Sequence, residues 1–485
     1  MPDNLAPAPH LHREIYGLTF PPKLFITFKI KFYMENNRSN FVYMVSLGCP
    51  KNLVDTELAA GSMLVNNIGF AESPDDADVY FINTCAFIAP AREEAEEFIA
   101  EAVEWKNNAD GHSRKIIVAG CLVQWDKNLE FRNGFPEVDL WLPIDEVHKL
   151  PEHISSLSAG NISLSPPATE PKYIYTFSVP RLQLTPPHLA YLKIAEGCSN
   201  NCSYCSIPAI RGKRRCRTIA DITTEAKNLI TNGVKELILT AQDTTLYTDP
   251  GTSEKLETLI RKIDALKGDF RIRLLYAHPA HISKNVIELF RNANHLLPYI
   301  DLPLQHISDT VLKSMNRRIT SCEVRRIIDE LRESNPDIAL RTTFLLGFPG
   351  ETEQDFEGLC RFIKEIQFER LGVFPYSQEP DTPAAAMPDQ VPAETTRKRC
   401  GTLMAIQSEI SMRKNKSLIG KKMDVMIDYA ENGYAEARTY MDAYEIDNTV
   451  ELSLPENFIP EPGTILSAKI TKAANFAIEG TFIQN

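Results

Sequence analysis

Apolar residues in this chain gather in short unbroken runs, and stretches of helical periodicity separate them. FVYMVSLGC (41–49), ADVYFINTC (77–85) and KIIVAGC (115–121) have strand length, and each ends in a cysteine. Residues 53–69, with Gly69 as the stop signal, and 91–106, with glutamates on the polar side, read as the helices between them. Apolar strands alternating with helices predict a parallel α/β sheet. The alternation returns in AYLKIAEGC (190–198), ELILTAQD (236–243), RIRLLYAHP (271–279), YIDLPLQH (299–306), IALRTTFLLGFPGET (338–352) and LGVFPYS (371–377). Residues 220–232, 253–266, 281–294, 308–316, 321–334 and 353–366 carry helical periodicity between these strands. About six β/α units with short loops predict a full or partial parallel barrel.

Residues 396–416 read as one more helix, and the texture then changes. KKMDVMID, GYAEARTY, TVELSL and ILSAKITKA are short strands divided by turn residues. They predict a small antiparallel β-barrel of the OB type. A polar, Pro-rich stretch over 155–188 reads as a linker. The expected organisation is multidomain α/β. A parallel domain spans 41–150, a linker 151–183, a β/α barrel domain 184–416 and a small β-barrel 417–485. Residues 1–40, Pro-rich and unpatterned, read either as a disordered extension or as preceding a biological start at Met34. Within them LFITFKIKFYM (24–34) is too short to span a membrane and is broken by Lys29 and Lys31.

A chain of 485 residues exceeds one ordinary core. Its net charge of −12 argues against non-specific binding to nucleic acid or anionic membrane and fits a basic partner. Ten cysteines are too sparse for a disulfide scaffold. They predict a reducing, cytoplasmic setting, where cysteines serve as metal ligands more often than as bridges. No long amphipathic or coiled-coil segment asks for a partner subunit, so a monomer is expected.

The chemistry concentrates in EGCSNNCSYCSIP, where Cys198, Cys202 and Cys205 have C-x-x-x-C-x-x-C spacing. Three thiolates on one loop suit a 4Fe-4S cube with one iron left open, since thiolate is the usual protein ligand of such clusters. The other reading is structural zinc, which takes four closed ligands, and no second C-x-x-C knuckle follows. Cys49, Cys85 and Cys121 end three predicted parallel strands at a constant spacing of 36 residues. Ligands of such sheets bind at the carboxyl ends of the strands. Each of these cysteines could instead be a small buried apolar residue, but a shared position at that edge favours a second cluster.

Longer motifs then match a family. SLGCPKNLVDTE (46–57), LTPPHLAYLKIAEGC (184–198), YIDLPLQHISDTVLKSMNRR (299–318) and RTYMDAYEID (438–447) carry the resemblance. Over nearly all of residues 41–485 the chain resembles the radical S-adenosylmethionine (SAM) methylthiotransferases. It shows their order of cluster domain, radical SAM barrel and TRAM barrel. The motifs are similar to those of the branch acting on ribosomal protein S-twelve; the tRNA-modifying branch has Gln and Asn after the first cysteine. Tyr444 and Asn448 stand where the first branch has Pro and Gly, and Cys216 where the family more often has Ser.

The resemblance implies two 4Fe-4S clusters and SAM. Cys198, Cys202 and Cys205 would hold the cluster that donates an electron to SAM, breaking a C–S bond and releasing a 5′-deoxyadenosyl radical. Cys49, Cys85 and Cys121 would hold an auxiliary cluster carrying the sulfur to be transferred. A second SAM would supply the methyl group. The implied product is a methylthio group on the β-carbon of one aspartate of ribosomal protein S-twelve. The implied reductant is an electron donor such as flavodoxin or ferredoxin. Tyr204 would lie near the SAM adenine. Arg341 could pair with the SAM carboxylate. Gln242, Asp243 and Gln305 end barrel strands, where polar groups face the active side. Gly347 and Gly350 would let backbone approach the cofactor.

Two features bear on the substrate. RGKRRCR (211–217) reads as a solvated basic loop. From Lys416 to Asn485 there are six Lys or Arg against eleven Asp or Glu, which suits a basic protein better than RNA. The alternatives are the same chemistry on a tRNA adenosine, and a non-catalytic zinc and RNA-binding protein.

Overall fold

The computed structural model describes residues 40–109, 113–160 and 170–484, with the backbone of residues 14, 15, 18 and 19. The extension expected over 1–40 lies almost wholly outside the described residues. Among the described residues no helix is long and apolar enough to cross a membrane.

The first sheet is parallel throughout. Its strands run in the order Gly69–Phe70, Phe41–Ser46, Val79–Thr84, Lys115–Gly120, Leu140–Leu142. This is the doubly wound order 2-1-3-4-5, in which strand addition reverses between the first and third strands and opens a crevice at their carboxyl ends. Alternate residues supply the two faces. Val42, Met44, Phe81 and Ile117 pack with Leu53 and Leu58 of helix Pro50–Val65 and Ile154 of helix Leu150–Ser158. Val45, Tyr80, Ile82 and Val118 pack with Ala95 and Ile99 of helix Ala89–Asn107. Gly69 does not stop the first helix. That helix ends at Val65, Asn67 makes the turn at φ 59°, and Gly69 opens the edge strand. Asn tolerates this left-handed conformation better than most residues.

The second sheet has six parallel strands in chain order: Leu189–Lys193, Glu236–Thr240, Arg271–Leu274, Leu296–Asp301, Ala339–Leu346 and Arg370–Pro375. It stays open, so the barrel is partial. Leu192, Leu239, Ile272, Ile300 and Leu340 face the helical shell. Each fully buried Leu or Ile there stabilises the fold by about 1.5–3 kcal/mol. The intervening residues Leu189, Tyr191, Ile238 and Tyr299 face inward and join the cluster that contains helix Pro50–Val65. The first domain thus covers part of the barrel interior.

The C-terminal domain is a closed five-stranded barrel of Lys422–Glu431, Tyr434–Arg438, Thr449–Ser453, Ala477–Phe482 and Ile465–Ala473. Ala477–Phe482 is a fifth strand beyond the four expected. The 438–448 segment locks this barrel to the partial barrel. Arg438 and Arg273 share Glu236 at 3.2 and 2.6 Å, Arg370 meets Asp442 at 2.5 Å, and Tyr299 donates to Asp447 at 2.8 Å. Tyr444 lies beneath the Arg438 guanidinium, and Asn448 is buried with its backbone N–H on Asp442. The motif that carried the family resemblance here therefore fastens two domains.

The described residues 170–188 of the stretch read as a linker are built in. Tyr175 and Leu184 are buried, and Arg181 pairs with Glu57 of the first domain and Glu225 of the second, both at 2.6 Å. Carboxylates from both sides closing on one arginine turn this segment into a strap.

Candidate cofactor site

Cys49, Cys85 and Cys121 follow the first, third and fourth strands of the first sheet, at the carboxyl edge. Cys49 caps helix Pro50–Val65, its carbonyl accepting from Asn52 and Leu53. Gly48, at φ +87°, lies so close to Cys85 that a Cβ there would stand 2.9 Å from the Cys85 sulfur. Side chains lace the three turns together. Asn52 Nδ2 donates to the carbonyls of Leu47, Asn83 and Thr84 at 2.7, 3.2 and 3.3 Å. Thr84 Oγ1 donates to Ala119 and accepts from the Leu122 N–H.

The thiols sense one another. Burial pushes Cys85 far above its ordinary range, and its neighbours Cys121 and Cys49 push it further. Burial also raises Cys121, against the pull of Arg211. Burial pushes the half-buried Cys49 up too, but Lys51, Arg211 and two backbone N–H groups outweigh it and lower the group. Two buried thiols and a half-buried one, gathered at one sheet edge, make a donor set suited to a metal centre, because a coordinated cation deprotonates thiols outright.

The second triad lies on the loop after Leu189–Lys193. The Cys198 N–H donates to Gly212, the Cys205 N–H to Cys202, and Ser203 donates twice to residues 314 and 315. Burial raises Cys198 and Cys205, and the buried Arg317 guanidinium lies 3.8 Å from the Cys202 sulfur.

Two contacts join the triads. Ser206, next to Cys205, donates to the carbonyl of Phe87 at 3.0 Å, two residues past Cys85. Arg211 Nε lies 3.2 Å from the Cys121 sulfur. Around Arg211 stands a buried charge network the sequence did not announce. It includes Asp55 at 2.7 Å, Glu196 at 3.1 Å and Lys193, which pairs with Asp55 and Glu196. Lys193 and Arg211 outweigh burial to hold the Glu196 carboxyl well below the usual range. RGKRRCR is thus not simply a solvated loop. Arg211 and Arg217 are buried, and Arg217 meets Glu225 at 2.6 Å. Burying these cations without carboxylate partners would be prohibitive.

Gln242 and Asp243 lie at the mouth. Gln242 donates to Glu196 at 2.5 Å, and Asp243 accepts from Asn200 of the cysteine loop at 2.7 Å and from His281 at 2.9 Å. Burial raises Asp243, but hydrogen bonds from His281, Thr245 and Asn200 hold it near about 2. Tyr204 sits edge-on to Phe348 with Met315 in the same apolar cluster. Gln305, at φ 71°, bridges to the next strand through its backbone. Lys51 lies 3.6 Å over the Tyr276 ring, at the end of the third barrel strand.

Arg341 joins this group through Asp301, which also accepts from the Tyr276 N–H at 3.0 Å, and Gly347 lies against another helix. Arg341 is level with Asp301, pairs with it at 2.6 Å, and reaches Asp447 of the C-terminal barrel at 3.2 Å. Around Gly347 the space is taken by helix Ala393–Lys416: a Cβ there would fall 2.0 Å from Thr396 Oγ1.

A partial parallel barrel with a three-cysteine loop at its mouth, beneath a doubly wound sheet with three more cysteines, defines a radical SAM protein with a second cysteine site. Residues 192–363 match the radical SAM superfamily, 41–143 the uncharacterised protein family UPF0004 and 419–483 the TRAM domain. The chain is 40% identical to the ribosomal protein uS12 methylthiotransferase RimO of Geobacter sulfurreducens, over 92% of this chain and 100% of the relative. It is 41% identical to that of Chlorobium luteolum, over 92% and 98%. It belongs to the RimO family of ribosomal protein uS12 methylthiotransferases. In fold it is similar to the radical SAM methyltransferase TsrM of Kitasatospora setae, with a TM-score of 0.53 and 16% identity over 71% of this chain and 74% of that one.

Proposed function

We propose that this chain adds a methylthio group to the β-carbon of an aspartate of ribosomal protein uS12, with SAM as radical source and methyl donor. Two 4Fe-4S clusters serve the reaction: Cys198, Cys202 and Cys205 hold one, and Cys49, Cys85 and Cys121 the other. When bound, the first supplies reductive cleavage of SAM and the second carries the sulfur. The observation that carries this reading is the junction of the two triads through Ser206 and Arg211. The remaining residues position and shield. Asn200 and Asp243 brace the cysteine loop, Tyr204 and Gln242 line the SAM side, and the first domain covers the barrel mouth and excludes water.

The outer face of the C-terminal barrel exposes Asp424, Glu431, Glu436, Glu451, Glu456 and Glu461, beside the exposed Lys421, Lys422, Lys469 and Lys472. The carboxylates suit a Lys- and Arg-rich ribosomal protein through charge complementarity, and the similarity to uS12 methylthiotransferases over nearly the whole chain favours that substrate over tRNA. The same reading places the enzyme in the cytoplasm as a monomer, reduced by a flavodoxin or ferredoxin. It divides the chain near 41–150, 184–416 and 417–485. Mass spectrometry of uS12 from cells lacking this chain tests it. The methylthio mass increment is expected to vanish, and its persistence would exclude the assignment.

A further inference from the structure

We propose that Arg211 is a positioning residue for the first cysteine site. It reaches over from the radical SAM loop, hydrogen-bonds the Cys121 sulfur and sets the reduction potential of the cluster held there. The inference rests on the reading of Cys49, Cys85 and Cys121 as cluster ligands.

Arg211 is the last residue of helix Ile207–Arg211, six positions after Cys205. Its side chain is 2% exposed. Every edge of the guanidinium is engaged. Nη1 donates to Asp55 at 2.7 Å and to Glu196 at 3.1 Å, and Nη2 donates to Asn52 Oδ1 at 3.0 Å. Nε is left pointing at the Cys121 sulfur at 3.2 Å. The plane is fixed from both domains, because Asp55 and Asn52 belong to helix Pro50–Val65 and Glu196 to the radical SAM domain. Lysine, a point charge without the fork, could pair with a carboxylate but could not hold this arrangement.

Arg181, at the same interface, gives the comparison: Nε and Nη2 donate to Glu57, Nη1 to Glu225 and Nη2 also to the Tyr191 carbonyl, so all of its donors meet oxygen. The donor on sulfur has an electrical consequence. A reduced cluster carries one more negative charge than an oxidised one, so a cationic N–H on a ligand sulfur stabilises the reduced form more and raises the potential. Because that donor belongs to the other cluster's loop, the first site acquires its working potential only when the domains are docked.

The test uses the full chain with Cys198, Cys202 and Cys205 changed to Ala, so that one cluster is observed. Reconstituted anaerobically, this parent is expected to bind about four irons, one cube's worth. In redox titrations followed by EPR, Arg211→Gln is expected to lower the potential, Arg211→Lys to fall between it and the parent, and Arg181→Lys to match the parent. Pulsed EPR of the reduced parent, grown with nitrogen-labelled arginine, is expected to show hyperfine coupling to the label. That measurement decides the matter if Arg211→Gln does not assemble a cluster. An unchanged potential in Arg211→Gln, or no arginine coupling in the parent, overturns the inference and leaves the ligand reading standing. A parent that binds no cluster overturns both.

Discussion

Glu236 and Arg438 lie 3.2 Å apart, 202 positions distant in the chain, and both are buried. Arg273 holds the same carboxylate at 2.6 Å. The start of the second barrel strand is thereby tied to the end of a strand of the C-terminal barrel. Arg438→Ala leaves Glu236 and Asp428 short of a partner in a dry site and is expected to cost about 3–5 kcal/mol. Guanidinium denaturation of the cluster-free protein measures this; a loss below about 1 kcal/mol would mean that water or repacking replaces the pair.

The same carboxylate sets a pH dependence. Burial pushes Glu236 up, but Arg273 and Arg438 outweigh it and hold the group at about 2, against 4.5 for an ordinary glutamate. A depressed folded-state value stabilises fully above the unfolded value and is lost as pH falls from about 4.5 towards 2. The contribution is on the order of 3 kcal/mol. Stability of the cluster-free protein is therefore expected to fall over that interval, and Glu236→Gln, already destabilised, to show a shallower decline. Parallel pH profiles would remove Glu236 as the cause.

The triads are expected to divide the labour. The unaltered chain should carry about eight irons, and changing either triad to alanine should leave about four and abolish the methylthio product. Loss of Cys49, Cys85 and Cys121 should still permit some cleavage of SAM to 5′-deoxyadenosine, whereas loss of Cys198, Cys202 and Cys205 should not. Iron analysis and chromatography of 5′-deoxyadenosine read both; equal loss of cleavage would sink this division.

Two glycines one turn apart are expected to respond differently. Gly347 (φ +77°) abuts Thr396, whereas Gly350 (φ +80°) has no atom within 4 Å of an added Cβ. Gly350→Ala should cost only the left-handed strain, about 1–2 kcal/mol. Gly347→Ala should add roughly 1–3 kcal/mol of overpacking. Equal losses in thermal unfolding would show that Thr396 gives way.

Strands and cysteines were legible because their signals are local. An apolar run ending in Cys49, Cys85 or Cys121 announces itself within nine residues, and parallel sheets put such ends on one edge. Ala477–Phe482 is harder to read because Gly480, a weak strand former, interrupts its six residues. Arg211 was illegible for another reason: in sequence it is one of several basic residues, and its carboxylate partner Asp55 is 156 positions away. The partners of Arg341 are hidden in the same way: Asp301 lies 40 positions upstream and Asp447, across the domain boundary, 106 positions downstream.

The strand order 2-1-3-4-5 also bears on how the protein matures. Cys198, Cys202 and Cys205 occupy one loop, so a short peptide can gather them before the barrel is complete. Cys49, Cys85 and Cys121 meet only after three crossover units have closed, and closing such non-local parallel pairings is the slow part of folding. On the proposed ligand reading, the second triad would be able to take up iron before the barrel closes, whereas the first would have to await a finished sheet.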